Sequence, residues 1–336
     1  MQALLPPDRV GGAGGEIADW NFTATPGPAS RPVIRRTPDT PIQNLKPLAG
    51  LVVTISVIAA GALFVPPARR PASVNSEPRI AVTIHPLAAI LRELTGDRME
   101  VVTLVPPGGS PHTFDPRPSD ARAAGSARAL FWIDPNLDGW AAGMACQRKI
   151  MVMDFIPPEF RIPSPESKSA DPHFWTDPLT VKGALPRMLQ SLTELDPDAR
   201  EIFEANAVRF SAELDQLHHQ IESTLSSVRG KPVILFHPSF LYLVHRYGLE
   251  YAGAIERAPG KEPTPRYLTE LAGKMKKLGA RTVFTEPQLP RGPAEALAEA
   301  AGANVAELDP NGGKPGRETY SELLLFNARV LAEALK

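Results

Sequence analysis

A single cysteine, Cys146, is all the thiol chemistry in this chain of 336 residues. One thiol forms no internal disulfide, and a thiolate zinc knuckle needs several. Any metal bound here must therefore be held by histidine and carboxylate. An excess of either charge is also missing. Lys and Arg number 36 against 37 Asp and Glu, a formal net charge of −1. That balance leaves no basic footprint for nucleic acid. Long apolar runs are scarce, and only residues 48–65 approach the length of a membrane span, which excludes a multi-span membrane protein. No HExxH or similar local metal motif occurs, and no short-period repeat. Proline, by contrast, is plentiful: 37 residues, about twice the usual frequency of roughly 5%, which implies many stiff loops.

The chain divides by composition. Residues 1–47 read as a disordered leader: the first 44 hold seven Pro and five Gly with no apolar periodicity. Residues 48–65, LAGLVVTISVIAAGALFV, carry no charge. As a helix they would span about 27 Å, close to a bilayer core of roughly 30 Å. They read either as a retained membrane anchor or as a signal peptide cut after a small-residue site such as Ala60-Gly61-Ala62. No cysteine follows the run directly, so lipid attachment to cysteine there is excluded. Residues 66–78 form a polar, proline-bearing linker.

From Arg79 onward short apolar runs alternate with helical stretches. The expected strands are 79–84, 99–105, 129–133 and 149–154, with helices over 86–95 and 118–127. Such alternation predicts parallel βα units. The middle differs. Phe203, Ala207, Phe210, Leu214, Leu217, Ile221, Leu225 and Val228 recur at spacings of three and four, with no interior Gly or Pro. That stripe predicts one long helix over 196–228, capped by Asp196, with Pro197 at its first position and Gly230 beyond its end. Strands at 232–237, 250–255, 281–286 and 304–309 then alternate with helices at 239–247, 264–278, 291–301 and 317–335. The expected architecture is an N-terminal α/β lobe over 79–195, a linking helix over 196–229 and a C-terminal α/β lobe over 230–336.

Four residues stand out by position. His112 lies in a loop directly after a strand, and His173 in DPHFWTDP, a loop bracketed by prolines. His237 and Asp309 each close a strand and precede a proline. Ligands of open α/β sheets gather at the carboxyl ends of strands, and imidazoles with a carboxylate suit a first-row metal. Spacings of 61, 64 and 72 residues form no local motif, and each histidine taken singly reads equally well as a hydrogen-bonded loop residue.

Five collinear stretches carry a resemblance: IHPLAAILRELTGD, GGSPHTFDPRPSD, DPHFWTDP, LFHPSFLYLVHRYGLEYAG and VFTEPQLPRGPAEALAEAAGANVAELDPNGG. From Arg79 to Lys336 the chain resembles the zinc/manganese-type solute receptors of ABC importers, the cluster A-I substrate-binding proteins. The resemblance implies two α/β lobes with parallel sheets, joined by one long rigid helix, with a metal site in the inter-lobe cleft. It places the family's three histidines on His112, His173 and His237. The fourth donor is less uniform in the family: a late aspartate, water, or a carboxylate before the first histidine. Here Pro111 occupies that last position, so Asp309 is favoured. Many zinc-specific members carry a His-rich loop before the second ligand, but residues 156–172 contain no histidine.

The resemblance implies a monomeric, extracytoplasmic (periplasmic or membrane-facing) binding protein and not an enzyme. It would capture Zn2+, with Mn2+ as the alternative, and deliver it to a membrane permease. A zinc-dependent hydrolase and a metal-dependent adhesin are the competing readings of the same residues. Among the others, Glu286 is expected to orient a ligand imidazole, with Asp115 and Asp177 as weaker candidates. His85 is expected to pack beside the cleft, Trp175 to line it, and His218, His219 and His245 to lie at the surface.

Overall fold

The computed structural model describes residues 78–165, 169–257 and 260–336. The leader, the apolar segment and all of the linker except Pro78 lie outside the described residues. The described chain builds the same sheet twice. In the first half, β1 (Arg79–Val82), β2 (Glu100–Thr103), β3 (Leu130–Trp132) and β4 (Lys149–Met151) pair in the order β2-β1-β3-β4, all parallel. Around them lie α1 (His85–Thr95), α2 (Pro118–Ser126), the single turn α3 (Pro135–Asp138) and α4 (Pro178–Leu195). In the second half, β5 (Pro232–Leu235), β6 (Glu250–Ala254), β7 (Thr282–Thr285) and β8 (Asn304–Glu307) repeat the order as β6-β5-β7-β8, again parallel. Their helices are α6 (Leu241–Arg246), α7 (Pro265–Leu278), α8 (Gly292–Ala301) and α9 (Tyr320–Ala334). Helices on both faces bury the central strands, so Ile80, Ala81, Val82, Leu130 and Phe131 form continuous apolar runs with no exposed face.

The linking helix is α5 (Arg200–Leu225), extended by one 3-10 turn at each end, Pro197–Ala199 and Ser226–Val228. Every member of its expected stripe is buried, and the stripe enters the same hydrophobic cluster as Ile80, Val82, Val233 and Leu235 of the two sheets. α5 packs against α1 and α4 of the first lobe and against α9 of the second. Phe210 meets Tyr320 of α9 nearly edge-on, with ring centres 6.2 Å apart. Asp196 takes the expected N-cap position ahead of Pro197, but its side chain makes no capping hydrogen bond. Its carboxylate is drawn off by Arg98, whose Nε donates at 2.7 Å and Nη2 at 3.2 Å.

Other boundaries also shift for local reasons. The strand expected over 149–154 stops at Met151, and Val152–Phe155 turn into a 3-10 segment. α9 starts at Tyr320 rather than 317, because Thr319 and Glu322 form a reciprocal capping box there. α4 has no counterpart in the sequence reading, since Pro186 lies inside it. Proline removes one helical hydrogen bond, which is costly in a dry interior. Here Pro186 faces solvent, while Val181, Ala184, Leu185, Met188 and Leu192 bury the opposite face.

The α5 stripe generates a stability test. Phe210→Ala opens a cavity between α5 and α9 and should cost about 3–5 kcal/mol in urea denaturation. Val208→Ala, on the exposed face of the same helix at 51% exposure, should stay within about 0.5 kcal/mol. Equal losses for both would mean that the stripe does not carry the packing.

Candidate metal centre

Two of the site's three histidines come from chain that follows a strand, and the third from the loop before α4. β5 sits between β6 and β7, so the segments leaving β5 and β7 emerge side by side, with Leu235 in register with Phe284. His237 follows β5 and Glu286 follows β7. This neighbourhood brings Glu286 Oε1 to 2.7 Å from His237 Nδ1, a charge contact bent away from ideal hydrogen-bond alignment. Ser239 Oγ donates to the same Oε1 at 2.7 Å. His112 comes from the loop after β2, in a 3-10 turn over Pro111–Thr113 that Trp140 Nε1 holds by donating to Pro111 O at 2.9 Å.

His173 belongs to the loop before α4, and the second lobe holds that loop from three directions. Tyr242 Oη donates to Asp171 O at 3.1 Å, Trp175 Nε1 donates to Pro310 O at 2.8 Å, and Tyr320 Oη donates to Trp175 O at 2.8 Å. Asp171 Oδ1 accepts from the His173 backbone N–H at 2.9 Å and faces its Nδ1 at 3.1 Å.

These elements bring His112, His173 and His237 together. Their ring centres are 5.2–5.5 Å apart, and one donor nitrogen from each lies within 4.8 Å of the other two. In every ring Nδ1 faces an oxygen: Asn136 O at 3.2 Å for His112, Asp171 for His173 and Glu286 for His237. An acceptor at Nδ1 keeps the proton there and leaves Nε2 as a lone pair. His237 Nε2 lies 3.4 Å from His173 Nε2, and His112 Nε2 is buried with no hydrogen-bond partner. With Nδ1 protonated in each ring, three imidazole nitrogens thus converge as lone pairs.

The electrostatics divide the rings. Burial, then the neighbouring His173 and His237, push the His112 pKa down to about 2, against a smaller upward pull from Asn136. His237 goes the other way. Burial is its largest single influence and lowers it, but Glu286, Asp171 and Glu256 together outweigh burial and raise it. Glu256, just past β6, is itself raised by burial. The three rings open onto a cavity of about 240 Å3 whose walls include Ser110, Glu256, Gln288 and Asn311. That is space for an ion and a few waters, at roughly 30 Å3 per water.

Asp309 is not part of this group. Its Oδ1 accepts from the backbone N–H groups of Asn311 and Gly312 and from Gln288 Nε2, each at 3.0 Å, and its Oδ2 accepts from Arg317 Nη1 at 3.0 Å. Asn327 binds its backbone from both sides at 2.8 Å. The expected fourth donor is fully buried and engaged inside the second lobe. Gly312 permits that arrangement: its φ is +64°, and a Cβ there would lie 2.8 Å from Arg317 O.

The remaining expectations sort similarly. Asp177 caps α4 through Leu179 N and pairs with Arg246, while Asp115 is exposed. His85 Nε2 donates to Glu318 O at 2.8 Å, and His245 is exposed. Trp175 is buried with its ring 5.3 Å from His173. Asp171 was missed by sequence reasoning. Its signal is the Asp-Pro-His spacing, since an aspartate two residues ahead readily accepts from the following backbone N–H.

Comparison with known proteins follows this geometry. The ZnuA family model, described as zinc-uptake complex component A, periplasmic, matches residues 80–334. The high-affinity zinc uptake system protein ZnuA of Paracoccus denitrificans is 26% identical over 301 residues, covering 77% of this chain and 92% of that protein. The manganese-binding lipoprotein MntA of Halalkalibacterium halodurans is 25% identical over 264 residues, covering 76% and 88%. A crystal structure of ZnuA superposes with a TM-score of 0.68 at 31% identity, covering 77% of this chain and 99% of that one. The chain belongs to the ZnuA family of periplasmic zinc-uptake components, which are solute receptors of ABC importers and not enzymes.

Proposed function

We propose that this chain captures one Zn2+ in the cleft through the Nε2 atoms of His112, His173 and His237 and delivers it to the permease of an ABC importer. The observation that carries this reading is the convergence of three imidazole nitrogens from rings whose Nδ1 atoms each face an oxygen. Two nitrogens about 2.05 Å from a tetrahedral ion are about 3.3 Å apart. The 3.4 Å between His173 Nε2 and His237 Nε2 fits that edge. Water from the cavity fills the fourth position, because the oxygens of Asp309 are already engaged. Three imidazoles favour Zn2+ over Mn2+, which takes more oxygen donors. The relatives named for zinc and for manganese leave that choice to the donor set.

All three donors come from one chain, so a monomer suffices. Among the described residues no helix is long and apolar enough to cross a membrane. Residues 48–65 are the segment that would take the chain to the outer face of the cytoplasmic membrane, as an anchor or as a signal.

Purified without chelators, the protein should carry one zinc per chain by elemental mass spectrometry. Manganese as the main metal would overturn the ion assignment. Glu286→Gln should weaken zinc binding about 10–100-fold by loosening the His237 ring. His173→Ala should cost more than that in the same competition titration, and a smaller cost would remove His173 from the donor set.

Acidity gives an independent check. Zinc needs the lone pair of Nε2, so protons compete. His112, held near 2, stays neutral across the working range and contributes no pH dependence there. His237 is raised above its ordinary value by its acidic neighbours, so binding is full above its pKa and weakens as pH falls through it. Zinc titrations at pH 7.5 and 5.5 should show this loss, and equal affinities would contradict a histidine site.

A further inference from the structure

α5 carries a second set of metal-donor side chains, away from the cleft. His218, His219 and Glu222 each offer a donor atom within 4.8 Å of the other two. Glu222 follows His219 by three residues and His218 by four, spacings that share a helix face, and the two adjacent rings lie with centres 5.3 Å apart. His219 is exposed, and the other two are partly buried.

Fixed neighbours already orient two of the three. The His218 ring stacks on Tyr247, with centres 5.5 Å apart at 29°, and its Nδ1 lies 3.2 Å from Tyr247 Oη. Tyr247 is itself buried, at 2% exposure, so it is a firm support. A histidine tied through one ring nitrogen presents the other as a donor, the arrangement usual for metal ligands. Glu222 Oε1 accepts from Arg229 Nη2 at 2.8 Å, which leaves Oε2 on the histidine side, 3.9 Å from His219 Nδ1. Burial, the largest influence on His218, lowers its pKa. Glu222 and Asp177 pull upward, while His219 and Arg246 push downward.

We propose that His218, His219 and Glu222 form a second, surface site for a divalent transition metal, with two imidazole nitrogens and one carboxylate oxygen as donors and water completing the shell. Borderline ions such as Zn2+ suit this set. The site is weaker than the cleft because His219 is free to rotate and Arg229 competes for Glu222. It shares no residue with the cleft.

Equilibrium dialysis of the full chain against Zn2+ tests this. The expected result is two zinc equivalents, the second at least ten-fold weaker than the first. The doubly substituted His218→Gln, His219→Gln chain should lose the second equivalent and keep the first with unchanged affinity. Arg229→Ala, which frees Glu222, should tighten the second class by a few-fold. His173→Ala should lose the tight class and keep the weak one, so failure of the cleft reading and failure of this one are separable. If the double variant loses its circular-dichroism spectrum, the exposed change His219→Gln replaces it, with loss of the weak class alone expected. A single equivalent in the unsubstituted chain, or a second equivalent that survives removal of these histidines, would overturn the proposal.

Discussion

Three imidazole nitrogens pressed together out of water are a liability unless a cation stands between them. His112 Nε2 is buried with no hydrogen-bond partner among the described residues, and the Nε2 atoms of His173 and His237 face each other at 3.4 Å. The arrangement persists because every ring is held from behind. A backbone carbonyl, Asp171 and Glu286 each occupy one Nδ1 and fix which nitrogen carries the proton. The two carboxylates also bring negative charge next to a site that is to receive a divalent ion. Receptor chemistry needs little more than this: a donor set prepared in advance, with the cost of ordering it met by the fold.

The fold meets that cost through two kinds of contact. Parallel pairing of β5 with β7 puts His237 and Glu286 side by side without any special loop. Bonds across the lobes do the same for His173. Its loop precedes α4 of the first lobe, yet Tyr242, Pro310 and Tyr320 of the second lobe hold it. α5 lies behind both lobes and shares one apolar cluster with their sheets. A cleft stitched from both sides and backed by a continuous core resists wide opening.

Much of this was legible in the residues themselves. The α5 stripe repeats at three and four over eight positions, and each position proved buried, because helix periodicity depends only on neighbours within a turn or two. The parallel α/β pattern and the placement of His112 and His237 past strand ends follow from equally local signals. Aspartates were harder to read. Asp309 stands at a strand end like a ligand, yet Asn311, Gly312, Gln288 and Arg317 consume its oxygens. Asp171, two residues before His173, drew no notice and proved to be that ring's support.

The sequence alone determined the class of fold, the long helix and a chemistry limited to histidine and oxygen, since composition and short-range periodicity contain that information. Only the tertiary structure decided which carboxylates back the imidazoles and which are tied up elsewhere. A carboxylate binds whichever donors come within about 3 Å. For Asp309 and Glu286 those donors are set by sheet order and by loops meeting across the cleft, which no spacing along the chain records.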